Sequence, residues 1–280
     1  MLLDGKLVSG KILENLKQRV SNSENKPGLA VILANDNPAS RIYVSSKEKK
    51  ALELGYKSSV YKIGQNAKQS QIIELIQELN ESPETNAILV QLPLYNHLNA
   101  AQIIETINPD KDVDGFHPVN VGKLQIGLKP SAICCTPLGI IKLLEYYNIE
   151  LSGKNAVVIG RSNIVGKPMA QLLLQKNATV TMAHSKTKDL KSITKTADII
   201  ISATGVPKIL KADMVKKGVV VVDVGILRDF NGKVHGEVDF DKLKDIASYI
   251  TPVPGGVGPM TIAMLMQNTY NLFEAQNAEL

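Results

Sequence analysis

Residues 157–168 read VVIGRSNIVGKP, an apolar run that ends in a glycine turn and passes into the start of a helix. Gly160, Ser162 and Gly166 stand where a dinucleotide fold needs a sharp turn, close backbone approach to a pyrophosphate, and tight helix–strand packing. A helix beginning near Ile164 aims its unpaired N–H groups and the positive end of its dipole at that phosphate. The loop is G-x-S-x-x-x-G rather than G-x-G-x-x-G, so on these residues alone an ordinary strand–helix turn stays open. The flanks decide for the dinucleotide reading, because apolar runs and helical spacing alternate on both sides.

Downstream, the pattern predicts helix 165–175, strand 179–183, helix 190–196, strands 199–202 and 219–224, a last short strand over 248–251, and an apolar helix from about 259 to 275. Upstream it predicts helix 7–20, a buried strand over 28–34, helix 38–54, strand 58–63, helix 69–81, strand 87–92 and helix 99–107. Asn37-Pro38 supplies an N-cap with proline in the first turn, and Gly55 a stop. A helix over 136–147 leads from the first series into the second. The expectation is an α/β protein with two α/β domains and a cleft between them, the second Rossmann-like and binding NADP. Residues 1–118 form the first domain, joined by a C-terminal helix over 262–280, and residues 119–261 form the second.

The totals narrow the function classes. With 44% hydrophobic and 21% charged residues in 280, a packed core is expected and no apolar run reaches membrane-spanning length. The first twenty residues lack the apolar block and cleavage site of a signal peptide. Cys134 and Cys135 are adjacent and cannot staple distant segments, which suits a reducing cytoplasm. His97, His117, His184 and His235 are scattered without zinc-type spacing, so no metal is expected. The +5 net charge comes from dispersed lysines with only 4% aromatics, which suits an anionic small substrate or a phosphorylated cofactor better than nucleic acid.

An acidic residue at the end of the second strand of such a fold holds the ribose of NAD. Here that strand runs into His184-Ser185-Lys186-Thr187, with a hydroxyl and a cation at the tip, and Arg161 lies in the neighbouring glycine loop. A carboxylate repels a 2′-phosphate; Arg161, Ser185 and Lys186 attract one. NADP is therefore the expected cofactor, with solvated cations as the plainer alternative.

Candidate chemistry lies in the first half. Tyr43 and Lys47 are four residues apart on the helix that follows the first buried strand, hence on one face. Gln91 ends another strand, and Asp114 sits in the Asp112-Val113-Asp114-Gly115 turn. A lysine, a tyrosine, an amide and a carboxylate at the mouth of an open sheet can polarise a small substrate. Each also has a plain reading: a solvated charge run, a core tyrosine, a satisfied strand end, a common turn.

Together these stretches resemble a known family. PASRIYVSSK (38–47), QLPL (91–94), PDKDVDGF (109–116), GRSNIVGKP (160–168) and TPVPGGVGPMT (251–261) are similar, in order, to motifs of the bifunctional methylenetetrahydrofolate dehydrogenase/cyclohydrolase enzymes. The resemblance implies oxidation of 5,10-methylene-tetrahydrofolate with NADP⁺, then hydrolysis of the methenyl product to 10-formyl-tetrahydrofolate. It implies Lys47 as the catalytic lysine set by Gln91, Tyr43 against the folate, and Asp114 at its pterin end. Pro254, Gly255 and Gly256 are implied as further substrate contacts; Gly160, Arg161, Ser162, Ser185 and Ile226 as cofactor contacts. It also implies tetrahydrofolate derivatives as partners and a homodimer formed through the cofactor domains. The chain departs from the common pattern at Ala34-Asn35, at Cys134, and at Glu237, where an aspartate is usual. The alternatives are an NADP-dependent dehydrogenase of another small substrate, of the shikimate type, and a silent nucleotide-binding protein that holds nucleic acid.

Overall fold

The computed structural model describes residues 1–278 of the chain. Its elements run α1 (Gly5–Ser21), β1 (Gly28–Leu33), α2 (Pro38–Glu53), β2 (Lys57–Lys62), α3 (Gln69–Glu81), β3 (Ala87–Gln91), α4 (Ala100–Thr106), α5 (Pro118–Gln125) and α6 (Cys135–Tyr146). There follow β4 (Asn155–Ile159), α7 (Gly166–Gln175), β5 (Thr179–Ala183), α8 (Leu190–Thr196), β6 (Ile199–Ser202), β7 (Val220–Asp223), the short strands β8 (Leu227–Arg228) and β9 (Val234–His235), α9 (Phe240–Leu243), β10 (Tyr249–Ile250) and α10 (Val257–Ala278).

Two compact units result. One holds Lys11–Ile133 and the stretch from Leu265 onward; the other holds Met1–Gly10 and Cys134–Met264. The division thus falls after 133 and 264 rather than after 118 and 261, and it cuts through α1 and α10. Hydrogen bonds explain why 119–133 stays with the first unit. Asn120 Nδ2 donates to Pro109 O (2.9 Å) and to Asp112 Oδ2 (3.0 Å), and Ser131 N donates to Asn120 Oδ1 (3.0 Å). Residues 1–10 join the second because Leu3 N donates to Ile250 O (2.9 Å) and Lys6 N to Gly255 O (3.1 Å). Gly5 presses on that same loop: a Cβ there would stand 1.8 Å from Gly256 O.

In the first unit the sheet order is β2-β1-β3, all parallel. Every residue of β1 is buried, as expected of a central parallel strand covered on both faces. Edge strand β2 alternates exposed and half-buried residues and carries Lys57 and Lys62, charges that discourage pairing with another chain. Ala30, Ile32, Ile72, Ile76, Ile88 and Ile103 form much of its core. In the second unit the order is β10-β7-β6-β4-β5, again all parallel, around Val157, Ile159, Ile200, Val221 and Leu243. In sequence terms that order is 2-1-3-4-5 counted from β4, a doubly wound arrangement whose switch point lies between β4 and β6. Among the described residues no helix is long and apolar enough to cross a membrane.

Candidate active site

The parallel register pairs Leu33 with Gln91, so the ends of β1 and β3 lie side by side, with β2 on the far side of β1. This is the switch point of the first sheet, where ligands bind outside the carboxyl ends of the strands. From the end of β1 the chain turns into α2. Asn37 caps that helix, its side chain accepting from Ala39 N at 2.9 Å, with Pro38 in the first turn.

The buried residues of α2 are Ser40, Val44 and Ala51. Lys47 falls on the same stripe by its spacing and is half-buried, whereas Glu48–Lys50 spread around the helix. The charge run is therefore not simply a solvated face. Lys47 Nζ donates to Gln91 Oε1 at 2.9 Å, and Gln91 Nε2 donates to Leu92 O at 2.8 Å. These partners fix the amide's orientation: turned over, it would set its NH₂ against the Lys47 N–H donor and its oxygen against a carbonyl. Tyr43 sits one turn earlier on α2, about one-third exposed at 36%.

Asp114 comes to the same sheet from another direction. A parallel bridge pairs Ile88 with Asp112, with Ile88 N donating to Lys111 O at 2.7 Å. Asp114 follows two residues later, in the turn that leaves this bridge. Asp112 is buried and accepts from His117 N (2.8 Å) and Asn120 Nδ2 (3.0 Å). Lys111 is also buried and donates to Leu79 O, Asn80 O and Ser82 O at 3.2, 2.6 and 2.8 Å, satisfying carbonyls at the end of α3. Burial lowers its pKa, and the charge of Glu81 opposes that shift. From α10, buried Asn268 donates through Nδ2 to Val113 O (3.0 Å) and Ile133 O (2.8 Å). The turn bearing Asp114 is thus held at several points.

Two of these supports escaped the sequence reading. Asn35, noted there only as a departure from the family pattern, donates to Pro93 O at 2.6 Å and accepts from Asn37 N at 3.0 Å. It ties the loop before α2 to the loop after Gln91. For Asn268 the available signal was the polar run Gln267-Asn268-Thr269 directly after the apolar stretch 262–266.

The dinucleotide candidates lie in the other unit. Gly160 has φ +127°, a conformation that favours glycine, and a Cβ on it would stand 2.3 Å from Ala203 O. A Cβ on Gly166 would stand 2.3 Å from Gly160 O. Both glycines hold open a cradle that any side chain would fill. Ser162 Oγ accepts from Val165 N (3.2 Å) and Gly166 N (3.3 Å), so it closes the turn before α7 and keeps its own hydrogen to donate. The helix begins at Gly166, later than the sequence spacing suggested, because this turn occupies 162–165. These features fit a bound pyrophosphate.

Ile159 pairs with Ala183 in the β4–β5 register, which sets exposed Arg161 and exposed Ser185 two residues beyond partnered positions at one end of the sheet. The turn carrying Ser185 is closed by its neighbours. His184 Nδ1 accepts from Lys186 N at 3.1 Å, and Thr187 Oγ1 accepts from His184 N at 2.9 Å. The ring Nδ1 therefore acts as an acceptor.

Ile226 is 47% exposed beyond β7. It follows a turn held by buried Asp223, whose carboxylate accepts from Gly225 N (2.9 Å), Glu237 N (3.1 Å) and Val238 N (3.0 Å). Burial pushes the Asp223 carboxyl above its ordinary value, and the nearby charge of Glu237 acts in the same direction. Pro254, Gly255 and Gly256 form the loop between β10 and α10, and Gly255 has φ +112°. Among the described residues no group of three His, Cys, Asp or Glu side chains could hold a metal ion.

Comparison with known proteins agrees over nearly the full length. Residues 3–114 match the family model described as tetrahydrofolate dehydrogenase/cyclohydrolase, catalytic domain, and residues 134–277 match its NAD(P)-binding domain. A relative from Campylobacter hominis, named bifunctional protein FolD, is 56% identical over 271 residues, covering 96% of this chain and 95% of its own. The crystal structure of the bifunctional FolD methylenetetrahydrofolate dehydrogenase/cyclohydrolase from Campylobacter jejuni superposes with a TM-score of 0.97 at 53% identity, covering 99% of each chain. The Trypanosoma brucei FolD enzyme, complexed with NADP cofactor and inhibitor, gives 0.95 at 36% identity, covering 99% of this chain and 98% of its own.

Proposed function

Starting from the premise that this chain belongs to the tetrahydrofolate dehydrogenase/cyclohydrolase family, we propose how its residues divide the work. The protein is a bifunctional one-carbon folate enzyme. It oxidises 5,10-methylene-tetrahydrofolate to the 5,10-methenyl cation with NADP⁺ and hydrolyses that cation to 10-formyl-tetrahydrofolate.

The observation that carries the residue assignment is the Lys47 Nζ to Gln91 Oε1 hydrogen bond at 2.9 Å, set at the switch point of the first sheet. In the hydrolytic step, Lys47 Nζ takes the proton from a water that adds to the methenyl carbon. The same Nζ can return that proton to N5 as the carbon–N5 bond breaks, while the hydroxyl's remaining proton is released to solvent and its oxygen becomes the carbonyl of the formyl group left on N10. Gln91 orients the amine by accepting one of its hydrogens. Tyr43 lays its ring against the folate, and the Asp114 carboxylate accepts hydrogen bonds from the N–H donors of the pterin. Pro254, Gly255 and Gly256 supply further folate contacts.

NADP⁺, when bound, supplies the hydride acceptor for the first reaction. The cradle of Gly160, Ser162 and Gly166 holds its pyrophosphate, Arg161 and Ser185 hold its 2′-phosphate, and Ile226 lies against it. Removing Arg161 by Arg161→Ala deletes a charge-assisted bond. It is expected to raise KM for NADP⁺ by roughly 10–100-fold and to leave KM for NAD⁺ within about twofold. Equal rises for both would remove the 2′-phosphate assignment.

Cytoplasmic residence accords with two buried cysteines that form no disulfide. A homodimer through the dinucleotide unit accords with Phe230, which stands fully exposed between β8 and β9. Light scattering should return about twice the 30.4 kDa chain mass, and Phe230→Ser should shift it toward one; a monomeric starting protein would discard the dimer.

The function itself is tested with purified protein, methylene-tetrahydrofolate and either NADP⁺ or NAD⁺, followed by methenyl-tetrahydrofolate alone. NADP⁺ reduction with accelerated methenyl loss is expected. Methenyl loss without cofactor reduction would overturn the cofactor assignment, and neither reaction would overturn the whole reading.

A further inference from the structure

Among the buried acids that the reactions described above leave unused, Glu237 has the most elaborate set of partners. Glu237 lies between β9 and α9 with no exposed surface, in a position noted in the sequence only for carrying the longer of two acids. Its carboxylate is surrounded by donors from the turn that follows β6. Oε1 accepts from Thr204 N (2.9 Å), Thr204 Oγ1 (3.1 Å) and Ser202 Oγ; Oε2 accepts from Gly205 N (2.6 Å) and Thr204 N (3.0 Å). Thr204 Oγ1 in turn accepts from Val206 N at 3.1 Å, so its own hydrogen is directed at Glu237. Consecutive backbone N–H groups with flanking hydroxyls form a nest of the kind that binds anions, and here a side chain of the same protein fills it.

What this turn touches gives the arrangement its consequence. The sheet order places β6 beside β4, and the loops leaving these two strands meet at the switch point of the dinucleotide unit. Ala203, between the residues held by Glu237, puts its carbonyl against Gly160: a Cβ on Gly160 would lie 2.3 Å from that oxygen. Gly160 O is in the same way the atom nearest Gly166 at the start of α7. The backbone of Glu237 is also anchored, with Ile209 N donating to its carbonyl at 3.0 Å and Asp223 accepting from its N–H. Packed backbone thus runs from the Glu237 carboxylate through Ala203 to the glycine cradle.

We propose that Glu237 is a positioning residue for the dinucleotide, an internal anion that sets the Ser202–Gly205 turn and through Ala203 the backbone of Gly160. The inference rests on the placement of the cofactor at the Gly160–Gly166 cradle. It requires an acceptor-only group, because every partner of the carboxylate donates. Glu237→Gln keeps the shape but turns an NH₂ toward an N–H, whereas Glu237→Asp keeps the charge.

The test is NADP⁺ binding by isothermal titration calorimetry, with the hydrolysis of methenyl-tetrahydrofolate measured on the same samples without cofactor. Glu237→Gln is expected to weaken NADP⁺ about tenfold, with hydrolysis unchanged within twofold. Glu237→Asp should bind within about threefold of the unaltered protein, which separates charge from bulk. Should the Gln variant not fold, Ser202→Ala, which removes one donor and leaves the carboxylate, carries the test with an expected weakening of about threefold. Unchanged NADP⁺ affinity in a folded variant would overturn the inference, as would loss of affinity and hydrolysis in proportion, which marks a purely structural role. Failure of the cofactor placement itself would show differently: Gly166→Ala would then leave NADP⁺ affinity intact.

Discussion

Lys47→Met is expected to slow hydrolysis of methenyl-tetrahydrofolate by roughly 10²–10⁴-fold, the range contributed by a positioned general base. Methionine retains the unbranched apolar stem that packs on the α2 stripe with Ser40, Val44 and Ala51, and loses only the amine. Gln91 Oε1 then loses its 2.9 Å donor, but the amide stays oriented by its 2.8 Å bond to Leu92 O. The fold should therefore persist while proton transfer does not. Lys47→Arg supplies the contrast: guanidinium stays charged and can hydrogen-bond but cannot take a proton at neutral pH, so it should be nearly as slow. The measurement is the decay of methenyl absorbance over the spontaneous rate. A Lys47→Met protein within threefold of the original would end the general-base assignment, and an active Arg variant would leave the lysine a purely electrostatic role.

The second large effect is expected at Gly166→Ala. The added Cβ would meet Gly160 O at 2.3 Å, Gly160 C at 2.6 Å and Arg161 Cα at 2.8 Å, all backbone atoms that no rotamer change can move. Either α7 withdraws or the loop from Gly160 shifts. A displacement on the order of 1 Å at a binding element costs about 10²-fold in rate. Overpacking of this kind also costs about 1–3 kcal/mol of stability. NADP⁺-dependent oxidation should thus fall by about two orders of magnitude, while the cofactor-free hydrolysis, which we assign to Lys47 and Gln91 outside the cradle, holds within a few-fold. A shifted melting curve with normal oxidation kinetics would show that the cradle tolerates the methyl group and that the dinucleotide does not need this approach.

Much of this architecture was legible because parallel strands buried on both faces read as short apolar runs between glycine, proline and asparagine. The strand over 28–33, the cap at Asn37, and helices 69–81 and 190–196 follow directly from such signals. The elements that sequence patterning passed over are short or weakly periodic. Helix α5 opens inside a run read as loop, capped by a histidine instead of the usual Asp, Asn, Ser or Thr; His117 Nδ1 accepts from Val119 N at 3.1 Å. The β8–β9 pair has two residues a side and leaves no alternation to count.

At the site, Lys47 and Tyr43 were readable as one helical face. That Gln91 and Lys47 meet depends on the β1–β3 pairing, a long-range fact absent from either segment. Asn35, Asn268 and Glu237 were not assigned these roles from the sequence. Each bonds mainly to groups distant in the chain, and such partners leave little local pattern.

The division that cuts α1 and α10 bears on how the protein is made. As the chain leaves the ribosome, residues 1–10 emerge first, yet their partners Ile250 and Gly255 follow some 240 residues later. The stretch 11–133 is complete early but lacks Met266 and Asn268, which accept from Tyr56 and brace Val113. Each unit is thus assembled from two segments far apart in the chain, so neither follows the simple order in which one continuous stretch folds as it is made. The late-made segment supplies single braces, at Tyr56 and at Val113, to a unit whose main core lies within residues 30–107.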